Sequence, residues 1–345
     1  MDCFRRFETA MNCGIPDRPP ILYQHLGGGE WILRDLGTTM RKVHEHPRNI
    51  VECQLRAKAV YGHDNLIAGW GAYVEAHALG SLWEWGNKEY YYPRIRKYRL
   101  AQPEDLTSIQ VPDPMADPFM RLYIDALRMM TEEHGSTVPV LGFVNSPLIA
   151  AEELRGCEAL FMDMVLNVPL YQKTIALMAS MCRAYVSAML KAGVDGVLIE
   201  DGSLGGDQLS RGQAKEMDLE STALLIEDIK SAGKWAIIHN CSSEPFLDMH
   251  ASLRPKAIDF WIKGKVDPEQ TRHDLEGICI STGADGMTEM MMAKPSVIEQ
   301  SVLTAYRDYG TNGGFVISTG GEIPLTAPAE NIWALRRAAD KCGKA

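Results

Sequence analysis

GVLIEDGSLGGDQLSRGQAKEMDLESTALLIEDIKSAGKWAIIHNC, residues 196–241, reads as one strand–helix–strand unit. GVLIED is a short apolar run opened by a glycine, and Ser210 is a helix N-cap. Behind it Ala223, Leu224, Ile226 and Ile229 recur at helical spacing until Ser231-Ala232-Gly233 ends the helix. WAIIHNC follows directly. Two strands joined by a crossover helix run parallel.

Outward from this unit the same alternation recurs. Further short runs occupy Pro20 to His25, Asn65 to Trp70, Val138 to Asn145, Ala257 to Ile262, Gly277 to Thr282 and Gly314 to Thr319. With Gly196 to Asp201 and Trp235 to Cys241 they make eight, which predicts an α/β fold closed as a (β/α)8 TIM barrel. A helix is expected over Pro169 to Lys191, with Ile175, Met178, Cys182, Tyr185 and Met189 as its buried stripe and Gly193 as its stop. About 70 residues separate the second run from the third, too many for one crossover helix, so an insertion follows the second strand. It contains Trp83, Trp85, Tyr90, Tyr91, Tyr92 and Pro93. No repeat or Gly/Ser/Pro-rich linker divides the chain, and residues 1–345 are expected to form a single barrel domain with a short N-terminal helical extension.

The 345 residues carry 35 basic and 45 acidic side chains, a net charge of −10, with no Lys/Arg block to track phosphates. Nucleic acid is therefore not expected as a partner. Nor is a membrane, since no window approaches the roughly 18 apolar residues of a span. The start, MDCFRRF, lacks the apolar stretch of a signal peptide, and the eight cysteines show no short paired spacing. A cytoplasmic location with reduced thiols is expected.

Parallel barrels carry their chemistry at the C-terminal strand ends. Those ends supply His25, Asn145, Glu200 with Asp201, His239 with Cys241, and, in following loops, Asp285 and Glu322. Alternate residues of a strand share a face, so His239 and Cys241 can both point inward. An imidazole and a thiolate are good zinc ligands; a hydrogen-bonded histidine and a small buried thiol are the plainer alternative. One carboxylate of Glu200 and Asp201 can face the same site as a metal ligand or general base, while the other caps the next loop. Asp207 is expected to shape a turn. Met287, Met290, Met291 and Met292 suit either core packing or an adaptable wall for a ligand. Trp70, Trp83 and Trp85 are candidates to line a pocket for a flat substrate. Gly27-Gly28-Gly29 and Gly205-Gly206 lack the Lys-Ser/Thr of a nucleotide loop, and there is no G-x-S-x-G elbow.

RRFETAMNCGIPDRPPI (Arg5 to Ile21), YVEAHALGSLWEWG (Tyr73 to Gly86), GVDGVLIEDGS (Gly193 to Ser203), the IIHNC strand and GGFVISTGGEIPLTAPAENIWAL (Gly313 to Leu335) together give a resemblance. The chain resembles the uroporphyrinogen decarboxylase superfamily, and within it the corrinoid-dependent methyltransferases. Decarboxylases of that family carry an arginine-rich N-terminal motif, whereas Pro20 to Gly29 (PILYQHLGGG) holds no arginine. The methyltransferase branch holds zinc with a His-x-Cys pair, matched by His239 and Cys241, and a cysteine in a final Gly-Cys-Glu-Ile-Pro segment. Here that segment reads Gly320-Gly321-Glu322-Ile323-Pro324.

The resemblance thus implies a third ligand from Glu200, Asp201, Glu322 or Cys279, and a harder, more electrophilic zinc. It implies an enzyme that moves a methyl group from a small methylated donor, with an aryl methyl ether as the leading candidate, to the cobalt(I) of a separate corrinoid-binding protein. The corrinoid, a cobalamin-type cofactor, is assigned to a partner because the D-x-H-x-x-G motif is absent; the nearest string is Arg272 to Gly277. Glu200 or Asp201 would complete the site or take part in proton transfer. Tyr23, His25, Trp70, Asn145 and Glu322 would contact substrate. Three alternatives stay open: methyl transfer from methylcobamide to a thiol or folate, decarboxylation of a non-porphyrin acid, and a metal-free accessory role.

Overall fold

The computed structural model describes residues 1–69, 73–86 and 91–343. Its frame is a parallel sheet built from β1 (Leu66–Ala68), β4 (Val140–Asn145), β5 (Gly196–Glu200), β6 (Trp235–Asn240), β7 (Ala257–Phe260), β8 (Cys279–Gly283) and β9 (Phe315–Ser318), hydrogen-bonded in that order. Helices run between consecutive strands, and the sheet curls into the expected barrel.

Seven of the eight expected runs become strands, and the first does not. In Pro20 to His25 only Ile21 bridges, in parallel, to Ile317 of β9. Pro19 and Pro20 have no N–H for a ladder. On the β9 side two backbone bonds hold the segment, Leu22 N–H to Ile317 O and Ile317 N–H to Pro20 O, both 2.8 Å. On the β1 side it is tied mostly by side chains: Asp64 Oδ2 accepts from Ile21 N–H at 2.8 Å, and Asn65 bonds both the N–H and the C=O of Tyr23. Asp64 is fully buried and also accepts from Arg6 and Arg18.

Strand alternation sorts the barrel residues into two cores. Val197, Ile199, Ala236, Ile238, Ile258 and Ile280 face the helices. Leu22, Ile67, Leu141, Leu198, Ile237, Ala257, Cys279 and Val316 fill the interior, and Phe7 of the helix Cys3–Met11 packs with them. Each buried Leu, Ile or Phe contributes roughly 1.5–3 kcal/mol. Adding two to Leu22, Leu141, Leu198, Ile237, Ala257, Cys279 and Val316 gives the next layer up: Gln24, Phe143, Glu200, His239, Asp259, Ser281 and Ser318. All but Phe143 are polar.

The helix over 169–191 forms as expected, starting one residue earlier (Val168–Lys191), and its five-residue stripe is buried. The helix capped by Ser210 forms a capping box with Gln213, but it breaks at Asp218 into Arg211–Met217 and Leu219–Ser231. Thr222, Leu225, Ile226 and Ile229 face inward, and Leu224, expected in the core, is 43% exposed.

The insertion after β1 contains the helix Val74–Ala78, an antiparallel hairpin of β2 (Leu82–Glu84) and β3 (Arg94–Lys97), and the helix Pro118–His134. Trp83 packs on His77 and Phe119, and Trp85 on His44. Neither tryptophan lines the central cavity described below; Trp70 and Tyr90 lie outside the described residues. No helix among the described residues is long and apolar enough to cross a membrane, and none of the eight cysteines is disulfide-bonded.

Candidate metal centre

The parallel registers set the polar layer side by side. Glu200 of β5 pairs with His239 of β6, His239 with Asp259 of β7, and Asp259 with Ser281 of β8. All four side chains project inward at one height, and Cys241 stands two residues above His239. Glu200, His239 and Cys241 each offer one ligand atom within 4.8 Å of the others, the only such group found among the described residues. His239 Nε2 lies 3.4 Å from Glu200 Oε2, and Cys241 Sγ lies 3.7 Å from Glu200 Oε1. Tetrahedral bonds of about 2.0–2.3 Å to N, O and S put ligand atoms about 3.3–3.7 Å apart, so the donor set fits zinc.

Two further features fit the same ion. His239 Nδ1 is 2.5 Å from Asp259 Oδ2, which leaves Nε2 to face the other two donors. This carboxylate–histidine arrangement fixes the ring and its basicity in metal sites. Gly202, just past β5, leaves room for the donors to meet: a Cβ there would sit 2.8 Å from Cys241 Sγ and 3.0 Å from Glu200 Oε1.

Asp259 is the central residue that strand-end reading misses. It is fully buried between Ile258 and Phe260 in an apolar run, yet its carboxylate takes four bonds. Oδ2 accepts from His239 and from Gln24 Nε2 at 2.7 Å; Oδ1 accepts from Ser281 Oγ at 2.6 Å and from Ser318 Oγ. The signal was the period of two, which places Asp259 level with His239.

Electrostatics follow from this packing. Burial opposes charge on His239, but Glu200 and Asp259 outweigh it and hold its pKa well above the ordinary histidine value. Burial pushes the Glu200 carboxyl up, partly offset by His239.

A cavity of about 390 Å³ opens on these side chains, lined by His25, Phe143, Trp261, Met287, Gly321 and Glu322 besides Glu200, His239 and Cys241. Of the expected substrate contacts, His25 and Glu322 are in the wall. Tyr23 is not: its ring stacks on His63 and its hydroxyl donates to Gly27 O at 2.6 Å. Asn145 is not either, being fully buried with its N–H groups on Glu75 and Glu153. Burial raises Glu75 to about 7. Met287, 65% exposed, reaches the cavity, while Met290 packs in the core. Asp285 caps Met287 and Thr288 and takes the Trp261 indole N–H. Asp207, expected to shape the turn before the Ser210 helix, instead spends its carboxylate on anchoring Ser242 and Ser243 behind Cys241.

Two expected alternatives for the third ligand are removed. Cys279 lies in the apolar interior layer below the site. Asp201 sits one residue past Glu200 and therefore turns outward, where Oδ2 meets His250 Nε2 at 2.9 Å, both groups fully buried. Asp218, at the helix break, faces Asp201; burial and that carboxylate push its acid well above the usual range. The pair holds a proton in the folded state that the unfolded chain gives up near pH 4. Stability from this pair is full in acid and is lost as pH rises through the raised folded value. Asp218→Asn, whose amide replaces the shared proton, should flatten the fall of Tm with rising pH above about pH 4 by a few degrees. An unchanged slope in thermal melts from pH 5 to 9 would contradict this.

A family model described as uroporphyrinogen decarboxylase (URO-D) matches residues 4–342. The chain belongs to the uroporphyrinogen decarboxylase family. It is 24% identical over 260 residues to the uroporphyrinogen decarboxylase of Alkalilimnicola ehrlichii, covering 67% of this chain and 64% of that one. The chain therefore spans somewhat under two thirds of that curated relative. Its likeness to the methylcobamide:CoM methyltransferase of Methanosarcina barkeri runs full length, 21% identical over 342 residues and 97% of each chain. A solved methyltransferase from Methanosarcina mazei superposes with a TM-score of 0.88 at 18% identity over 99% of each chain, which establishes the shared fold.

Gly321 occupies the place where the resemblance puts a ligand cysteine. It lines the cavity, and a Cβ on it would meet nothing within 4 Å. Gly321→Cys should therefore be tolerated, within about 0.5 kcal/mol of the parent stability. The variant should bind zinc at least about tenfold more tightly, a gain of about 1.4 kcal/mol, if the new thiolate reaches the ion. Competition with a chromogenic chelator reads both outcomes.

Proposed function

We propose that the protein is a zinc-dependent methyltransferase that takes a methyl group from a small methylated donor, an aryl methyl ether, to the cobalt(I) of a separate corrinoid protein. One observation carries the reading: an imidazole, a thiol and a carboxylate converge at the cavity mouth, the imidazole backed by a buried aspartate.

His239 Nε2, Cys241 Sγ and a Glu200 oxygen would hold the ion. Bound there, zinc supplies a Lewis acid that polarises the donor heteroatom. Replacing a second thiolate by the Glu200 carboxylate makes a harder site, suited to an oxygen leaving group. Asp259 keeps the His239 ring in place with Nε2 outward and Nδ1 protonated. Phe143, Trp261 and Met287 offer flat and adaptable apolar surface to an aromatic ring and exclude water from it. Transfer forms a cobalt–methyl bond and breaks the O–CH3 bond, whose electron pair stays on the phenolic oxygen; a proton then completes the phenol.

The full-length likeness to a methylcobamide:CoM methyltransferase supports a second reading, methyl transfer from methylcobamide to a thiol. Zinc-loaded protein mixed with cobalt(I) cobalamin and methoxyaromatics, and separately with methylcobalamin and thiols, tests both. Loss of the cobalt(I) absorbance with the ethers alone is the expected result. Turnover with thiols alone would replace the first reading by the second, and carbon dioxide release without cobalamin would overturn both.

A further inference from the structure

We infer that Asp207 is a positioning residue of the metal centre: its carboxylate clamps the turn after β6 onto the loop after β5, and so keeps the Cys241 thiol facing Glu200 and His239. The inference rests on the reading of those three side chains as metal ligands and adds what holds one of them in place.

Cys241 needs such a device. Glu200 and His239 belong to strands, where the ladder and the pleat fix the direction of a side chain. β6 ends at Asn240, where Trp261 N–H donates to Asn240 O at 3.3 Å. Cys241 lies one residue past that ladder and is exposed, so its direction depends on the turn that follows.

That turn is held by its neighbours' side chains. Asn240 Oδ1 accepts from Ser242 N–H at 2.8 Å, a local turn closed around Cys241, and Asn240 Nδ2 donates to Leu204 O at 2.9 Å. Asp207 takes the next two residues. Its Oδ2 accepts from Ser242 Oγ at 2.8 Å and from Ser243 N–H at 2.6 Å, and its Oδ1 accepts from Ser243 Oγ at 2.5 Å. Gly206 N–H donates to Glu244 O at 2.9 Å and closes the seam beyond. Gly205 lets the two loops meet, since a Cβ there would stand 2.0 Å from Ser242 Oγ. Ser243, through its hydroxyl first and its N–H next, holds the Asp207 carboxyl below its ordinary range, so the clamp is ionised at neutral pH.

The loop that carries Asp207 begins at Glu200. One carboxylate therefore ties together the segments that carry two of the ligands, and the 3.7 Å between Cys241 Sγ and Glu200 Oε1 is spanned beside that tie. Asp207 is itself exposed, so the hydrophobic core does not rest on it. Without the clamp, ordering the thiol would be charged against metal binding.

The test is metal binding, with no methyl donor present, in wild type, Asp207→Ala and Asp207→Asn. Asp228→Ala, which removes a carboxylate paired with Arg183 on the outer helices, controls for the loss of one surface charge. Chelator competition should show zinc held about tenfold more weakly by Asp207→Ala. Its thiolate-to-cobalt(II) band should weaken at full cobalt loading, because fewer molecules keep the sulfur on the ion. Asp207→Asn retains one oxygen acceptor and should fall between, and Asp228→Ala should match wild type. The Tm of the metal-free variants should stay within about 3 °C of the parent. Wild-type affinity and band in folded Asp207→Ala overturn the inference, as does an equal loss in Asp228→Ala. Asp207→Asn decides by the same two readings should Asp207→Ala not fold. Wild type that takes up no metal overturns this inference and the metal centre together. Protein that shows the Asp207 dependence yet transfers no methyl group would sink only the functional reading.

Discussion

Asp259→Ala should lose about 3–5 kcal/mol of stability, the range for breaking a buried charged network, because it removes the acceptor of four donors at once. His239 Nδ1, Gln24 Nε2, Ser281 Oγ and Ser318 Oγ all converge on that carboxylate, three from different strands and Gln24 from the segment ahead of β1. Asp259 is itself fully buried, so its loss leaves these donors unsatisfied in the barrel interior. Urea unfolding of zinc-free protein measures the loss. The conservative change separates stability from metal binding. Asp259→Asn keeps the shape but cannot accept from all four donors, and it removes the charge that steadies the His239 ring. Zinc affinity should fall about 10–100-fold, as for other lost partners of a ligating histidine. A full-affinity Asp259→Asn variant would show that the aspartate serves packing alone.

Cys241→Ala should abolish methyl transfer while leaving the fold intact. The side chain is exposed at the cavity mouth, so stability should change by no more than about 0.5 kcal/mol. Activity should drop by on the order of 10³-fold or more, which corresponds to roughly 4 kcal/mol of lost transition-state stabilisation. His239→Ala should be as inactive and less stable, because it strands the Asp259 carboxylate. Glu200→Gln should be intermediate: the amide oxygen can still approach the ion, but without the charge that favours it. An active Cys241→Ala protein with its zinc still bound would remove the thiol from the mechanism.

Much of the barrel was legible because parallel strands buried on both faces read as short apolar runs between glycines. The run at Pro20 to His25 misled: adjacent prolines deny it a ladder, and the side chains of Asp64 and Asn65 do part of the work that backbone groups do elsewhere. The helix break at Asp218 was hidden for a different reason. Nothing local marks it, and the buried Asp201–His250 pair across the loop is a tertiary partner no periodicity reveals.

The site was half readable. His239 and Cys241 announce themselves by their spacing at a strand end. Choosing Glu200 over Asp201 needs only the alternation of the strand: Leu198 is inside, so Glu200 is inside and Asp201 is not. The same arithmetic from Ala257 reaches Asp259, which was passed over because it lies within an apolar run and not at its end. Tyr23 and Asn145 stand near the expected height but turn away from the cavity, since their partners, Gly27 and His63 for one and Glu75 and Glu153 for the other, come from loops, the insertion and the helix Pro147–Arg155.

Cobalt(II) substitution tests the central claim most directly. Wild type should take up one equivalent and show a visible thiolate-to-cobalt band, with affinity falling in acid as protons compete for His239. The band should vanish in Cys241→Ser and persist in Cys279→Ser. Less than about half an equivalent of metal that added ion does not restore, or a band unaffected by Cys241→Ser, would contradict a metal centre built on His239, Cys241 and Glu200.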